Sequence, residues 1–258
     1  MQNVTLKKAL SLLLLLSLSS LLFIHVTKAE TDSLESAKRL LDEGIRTYDT
    51  KKIEEAKEIF IAQAGKNSTD YQVDYYVALA YLALCDMENF EMRKCQDKRE
   101  KNIRKEERVK LAGEGIAYAD RSLALKEDFS ESHRVKGALL SNKISGMVSG
   151  MRNGKLAEVE VLRALEIDNK NVMAQIENAR RFINKPRLLG GSVTKGIEIL
   201  KAIIEEHPAL EKGYLNLGIA YYESGEEEWA AETFKKLLEI NPDNTEAKFF
   251  VNHLRASK

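Results

Sequence analysis

The chain has 258 residues, with 40 Lys and Arg against 40 Asp and Glu, four histidines and two cysteines. That balance excludes a general electrostatic attraction to nucleic acid, whose binding rests on phosphate neutralisation. The length admits one extended domain or two compact ones.

Residues 1–29 read as a secretory signal peptide. Lys7 and Lys8 precede an apolar block of 18 residues from Ala9 to Val26, and Thr27-Lys28-Ala29 supplies small residues for cleavage before Glu30. The block is also just long enough for an uncleaved membrane anchor. Removing the segment takes away three lysines and no acids, leaving 37 basic against 40 acidic residues. The expected location is exported and periplasmic, with residues 30–258 forming the folded domain.

The remainder reads as helix pairs. In 34–64, Gly44, Ala56 and Phe60 sit on two helices joined by a polar turn at Asp49–Lys52. The Asn67-Ser68-Thr69 sequon that follows matters only in a eukaryotic secretory pathway. A second pair opens at Asp70-Tyr71 with Val77, Ala78 and Tyr81, and its second helix is expected near 109–126, after a charged insertion at about 86–108. Within Arg93–Lys110, nine basic residues meet four acidic ones, the pattern of a solvated helical face or a contact for anionic lipid. Cys85 and Cys95 flank this region, and an oxidising compartment permits a disulfide between them.

A third pair begins near Ser130, carries Gly137 and Leu140, and ends in 157–167. Between its helices Ser141, Ser145 and Ser149 and Gly146, Gly150 and Gly154 recur every four residues, marking a close approach or an inter-helix turn. The fourth pair occupies 171–208. Its middle, KPRLLGGSVTKG, has glycines at 191 and 196 with P-loop spacing, but Ile197-Glu198 stand where a lysine and a hydroxyl are required. It is expected as a lengthened turn: Pro186 ends one helix, Gly190 and Gly191 permit positive backbone angles, and Ser192 caps the next helix.

Pro208 and Pro242 lie 34 residues apart, the tetratricopeptide period. Within 211–244, Tyr214, Leu217, Gly218 and Tyr221 fall on one helix, Ala230, Phe234 and Leu237 on the next, and Pro242 closes the unit. Small Gly218 and Ala230 allow two helices to approach while Tyr221 and Phe234 fill the space between neighbours. Residues 245–256 form a final helix, polar on one side, where stacking stops.

On these eight positions the chain resembles the tetratricopeptide repeat (TPR) superfamily. The resemblance implies an all-α, TPR-like helix-turn-helix solenoid of about five helix pairs plus a C-terminal capping helix. The insertion before the third pair and the Pro186 to Gly191 turn are similar to the exported T components of tripartite ATP-independent periplasmic (TRAP) transporters, and a similar layout occurs in the regulator of microtubule dynamics family. Unlike a lipoprotein of that group, this chain has no cysteine at the end of its apolar block.

In such arrays the first helix of each pair lines a concave groove. The register places Tyr75, Leu79, Arg134, Ala138, Asn142, Arg180, Ile183, Leu215, Ile219 and Tyr222 there, a mixture suited to a peptide segment, with arginines available to fork onto a carboxylate. The expected role is protein–protein interaction as an adaptor or scaffold in the cell envelope, with a protein or peptide partner, no nucleic acid, and a homo-oligomer admitted. The T-component resemblance implies the alternative of a solute-uptake subunit with a ligand pocket or channel, partnered by a solute-binding protein or transporter subunit. His133, His207 and His253 form no metal pair and no nucleophile pair, so neither an enzyme, nor a metal, nor a cofactor is expected.

Overall fold

A computed structural model describes residues 32–66 and 69–256. The signal peptide and most of the sequon lie outside them. Eleven α-helices occupy the described residues: α1 (32–47), α2 (Thr50–Ala64), α3 (Tyr71–Lys94), α4 (Lys98–Leu125), α5 (Ser130–Asn142), α6 (Met147–Ile167), α7 (Val172–Asn184), α8 (Val193–Glu206), α9 (Glu211–Glu223), α10 (Glu227–Ile240) and α11 (Thr245–Ala256). Five helix pairs and a capping helix therefore form an all-α solenoid. Each helix packs on its sequence neighbours, and α3, α5, α7 and α9 also touch in series, which sets them along the inner side.

Short polar residues define the helix starts by accepting the unpaired N–H groups of the first turn. Asp49 caps α2, Asp70 α3, Asp97 α4, Asn171 α7 and Ser192 α8. Within the last pair, a Cβ added to Gly218 would stand 2.6 Å from the Phe234 ring. Only a glycine lets α9 and α10 approach this closely, and Phe234 in turn stacks on Phe250 at 4.6 Å, carrying the packing into α11.

The apolar core is split. One cluster spans α1–α5 around Phe60, Val77 and Leu139, and a second spans α7–α11 around Ile176, Leu200, Phe234 and Phe250. The buried apolar residues of α6, Ala157, Val161 and Ala164, belong to neither.

The structure adds detail to two sequence expectations. Residues 86–108 are helical: α3 and α4 run through them as helices of 24 and 28 residues joined at 95–97, longer than the 13 and 14 residues of α9 and α10. Ion pairs of Arg104 with Glu88 and Glu100 lace the extended hairpin, while Met87 and Phe90 are buried on its inner side. The serine–glycine tract is not a turn throughout: α6 starts at Met147, where Ser149 Oγ accepts the backbone N–H groups of Ser145 and Gly146.

Residues 185–192 connect α7 to α8, with Ser192 accepting the Lys195 N–H at the start of α8. Gly190 has a φ of 91°, in the left-handed region that glycine favours. Gly191 has no positive φ; it is required because a Cβ there would lie 1.7 Å from the Lys185 carbonyl oxygen.

Candidate binding cavity

Residues of α1, α3, α5, α7 and α9 line a central cavity of about 480 Å³ that is open to solvent. Leu79, Leu82 and Ala83 come from α3, Ile183 from α7, and Leu215 and Ile219 from α9, forming its apolar lining. Of the expected groove residues, Leu79, Arg134, Arg180, Ile183, Leu215 and Ile219 are brought together here. Tyr75, Asn142 and Tyr222 are not. Tyr75 packs edge-on against Phe129 and donates to Glu131, Asn142 accepts from Asn89 behind the lining, and Tyr222 packs on Phe250.

Both arginines are already paired with a glutamate of their own helix. Arg134 is buried and donates to Glu131 at 2.7 Å, within a cluster that also holds Tyr75 and Asn171. Arg180 reaches both carboxylate oxygens of Glu177, at 3.1 and 3.2 Å. The charge of Glu177, then of Asp86 and Glu246, raises the Arg180 pKa against burial, so its guanidinium stays ionised.

Contacts between the two ends of the solenoid border the cavity. Tyr48, in the turn after α1, donates to Glu246 of α11 at 2.9 Å, and Arg93 near the end of α3 pairs with the same carboxylate at 3.2 Å and with Glu223 at 3.6 Å. Lys212 of α9 donates to Asp86 of α3 at 2.7 Å. Beside them Phe90 meets Tyr48 and Phe249 edge-on at 5.5 and 5.7 Å. Burial alone would raise the Asp86 pKa, but Lys212, Arg180 and Arg93 outweigh it and hold the carboxyl below its ordinary value. Glu246 moves the other way: burial dominates, and Arg93 only partly offsets it.

Sequence reasoning missed Tyr48, Asp86, Arg93, Lys212 and Glu246. Asp86 and Arg93 lay in the segment read as an insertion, and the remaining three lie at turn or first-turn positions outside the inward register. The signal that could have found Asp86 is its position seven residues after Leu79 on one helix face, two turns along.

Cys85 and Cys95 are both free thiols. They stand ten residues apart along α3 and its C-terminal cap, which at the helical rise is about 15 Å, far beyond disulfide reach. The expected disulfide is therefore absent. Burial raises the Cys85 pKa well above the usual thiol range, and its Sγ donates to the Arg108 carbonyl at 3.6 Å.

The basic residues around α7 and in the α3–α4 hairpin are largely taken up internally. Arg181 and Lys185 pair with Glu158, and Lys94 pairs with Glu91. His133 is structural, 2.6 Å from Glu160 through Nδ1 and 2.8 Å from the Glu127 carbonyl through Nε2.

Superposition on solved structures decides the fold. A thermophilic TPR protein of Thermus thermophilus aligns over 85% of this chain and 99% of its own, with a TM-score of 0.62 at 14% identity. The fold is a TPR-like solenoid. Other similar structures include YrrB, described as a TPR protein with an unusual peptide-binding site (TM-score 0.41, 16% identity, 86% of this chain and 95% of that one), and the MamA protein (TM-score 0.41, 15% identity, 81% and 93%). No family model and no curated protein matches the chain. Among the described residues no group of three or more His, Cys, Asp or Glu side chains could hold a metal ion.

Proposed function

We propose that the protein is an exported TPR-like adaptor that holds a short segment of a partner protein of the cell envelope in its central cavity. The observation that carries this is the chemistry of the lining. Arg93, Arg180 and Lys212 are each paired with an interior carboxylate, so much of the surface left for a partner is the apolar lining of Leu79, Ile183, Leu215 and Ile219, edged by Asn89 and Asn216 and by the charged residues Asp42 and Arg46. A volume of about 480 Å³ lies in the range of small-ligand pockets and admits a few side chains of a peptide. Binding energy in such a site comes from a small number of desolvated apolar anchors.

A second reading, a T-component-like solute-uptake subunit, is favoured by one feature: contacts between the solenoid's two ends border the cavity and shorten the groove, which suits a small molecule more than a long extended peptide. One experiment separates the two. A displayed peptide library is panned on residues 30–258 and on Ile219→Arg, and both proteins are screened for thermal stabilisation by a panel of small organic solutes. Peptides with large apolar residues that enrich on the wild type and not on Ile219→Arg support the adaptor. Stabilisation by a solute without peptide enrichment supports the uptake subunit, and neither result removes the cavity from the function. For export, N-terminal sequencing of protein recovered outside the cytoplasm should begin at Glu30.

A further inference from the structure

The outward face of α6 is apolar where a solvated helix would be charged. Asn153, Ala157, Val161 and Ala164 face the interior. Helical spacing aligns Val148, Met151, Lys155, Val159 and Leu162 on the opposite side, with Val148 77% and Met151 61% exposed. The turn between α7 and α8 adds Leu188, 100% exposed, and Leu189. That turn is tied to α6 by the pairing of Glu158 with Arg181 and Lys185. These exposed residues lie outside the cavity lining.

The charges on this surface are one-sided. Neither residues 142–157 nor residues 184–197 contain an acid. Lys143, Arg152, Lys155, Arg187 and Lys195 have no carboxylate partner among the described residues, while Glu158, Glu160 and Glu166 of α6 are each already paired with a cation. The chain as a whole carries as many acids as bases, so the excess is local.

We infer that the outer face of α6 and the α7–α8 turn form a docking surface for an anionic lipid membrane. A protruding leucine turn and an apolar helix stripe enter the headgroup boundary, and flanking lysines and arginines meet lipid phosphates, as in interfacial amphipathic helices. A peptide partner would need a concavity, and a second copy would bring like charges together; a negatively charged fluid surface requires neither. This inference is independent of the cavity's function.

The test is vesicle co-sedimentation of residues 30–258, a span that retains every core contact described. Vesicles of phosphatidylcholine alone are compared with vesicles of equal parts phosphatidylcholine and phosphatidylglycerol, at low and high salt. The wild type should bind only the anionic vesicles and be released by salt. Each cation near such a surface is worth about fivefold, so Arg152→Gln with Lys155→Gln should weaken binding about 25-fold, and Val148→Glu with Leu188→Glu should abolish it. All four positions are exposed, and circular dichroism should confirm that the fold is unchanged. Absence of anionic binding, equal binding to neutral vesicles, or binding insensitive to both double variants would overturn the inference. So would a dimer, or capture of an acidic protein, lost in these variants while the wild type ignores vesicles.

Discussion

At the residue scale, single side chains set how closely neighbouring helices approach. Gly218 sits against the Phe234 ring with no room for a methyl group, so Gly218→Ala should cost about 1–3 kcal/mol through overpacking, read as a lower urea midpoint with an unchanged slope. Its role was legible in the sequence because Gly218, Ala230 and Phe234 hold fixed offsets within one repeat. Arg134 and Arg180 were equally visible, yet their partners were not. Each is satisfied by a glutamate three residues earlier on its own helix, a pair that the search for ligand-binding charges passed over.

Asp86 gives the pH prediction. Its folded pKa is lowered, so the group contributes stability above its unfolded value near 4, and that contribution is lost as pH falls through the folded value. Asp86→Asn should be less stable than wild type by about 1 kcal/mol or more at neutral pH. The difference should shrink in urea titrations run progressively below about pH 4.

At the element scale, capping and stacking decide where helices begin and how far order extends. Asp97 accepts the backbone N–H groups of Arg99 and Glu100 and starts α4 close behind the end of α3. Asp97→Ala should cost about 1 kcal/mol, and faster amide exchange should be confined to the tip of the α3–α4 hairpin. The charged composition there hid the helical period, because a helix laced by ion pairs carries too few apolar residues to show it. Phe250 joins α11 to α10 by stacking on Phe234. Phe250→Ala should cost about 3–5 kcal/mol, with the largest loss of exchange protection in α11.

At the scale of the whole molecule, the solenoid returns upon itself. Tyr48 and Glu246 are 198 positions apart, and Arg93 and Glu246 153 apart, yet each pair is in hydrogen-bond contact. The variant Tyr48→Phe with Arg93→Ala removes both contacts to Glu246. Distances measured between spin labels on α1 and α11 should lengthen and broaden relative to wild type, and the cavity mouth should open. An unchanged distance distribution would assign the closure to the Phe90–Phe249 contact instead.

The sequence by itself determined the helix pairs, their turns and most of the inward apolar line, because a 34-residue period and short-range capping are written in neighbouring residues. Leu79, Ile183, Leu215 and Ile219 follow from that register alone. Only the tertiary structure decided that the two ends of the groove meet, that Arg134 and Arg180 are paired, and that α6 exposes apolar residues on its outer side. The physical reason is accumulation: each helix pair rotates slightly on the last, and the sum of those rotations determines whether α11 meets α1 and α3. No local pattern of residues records that sum.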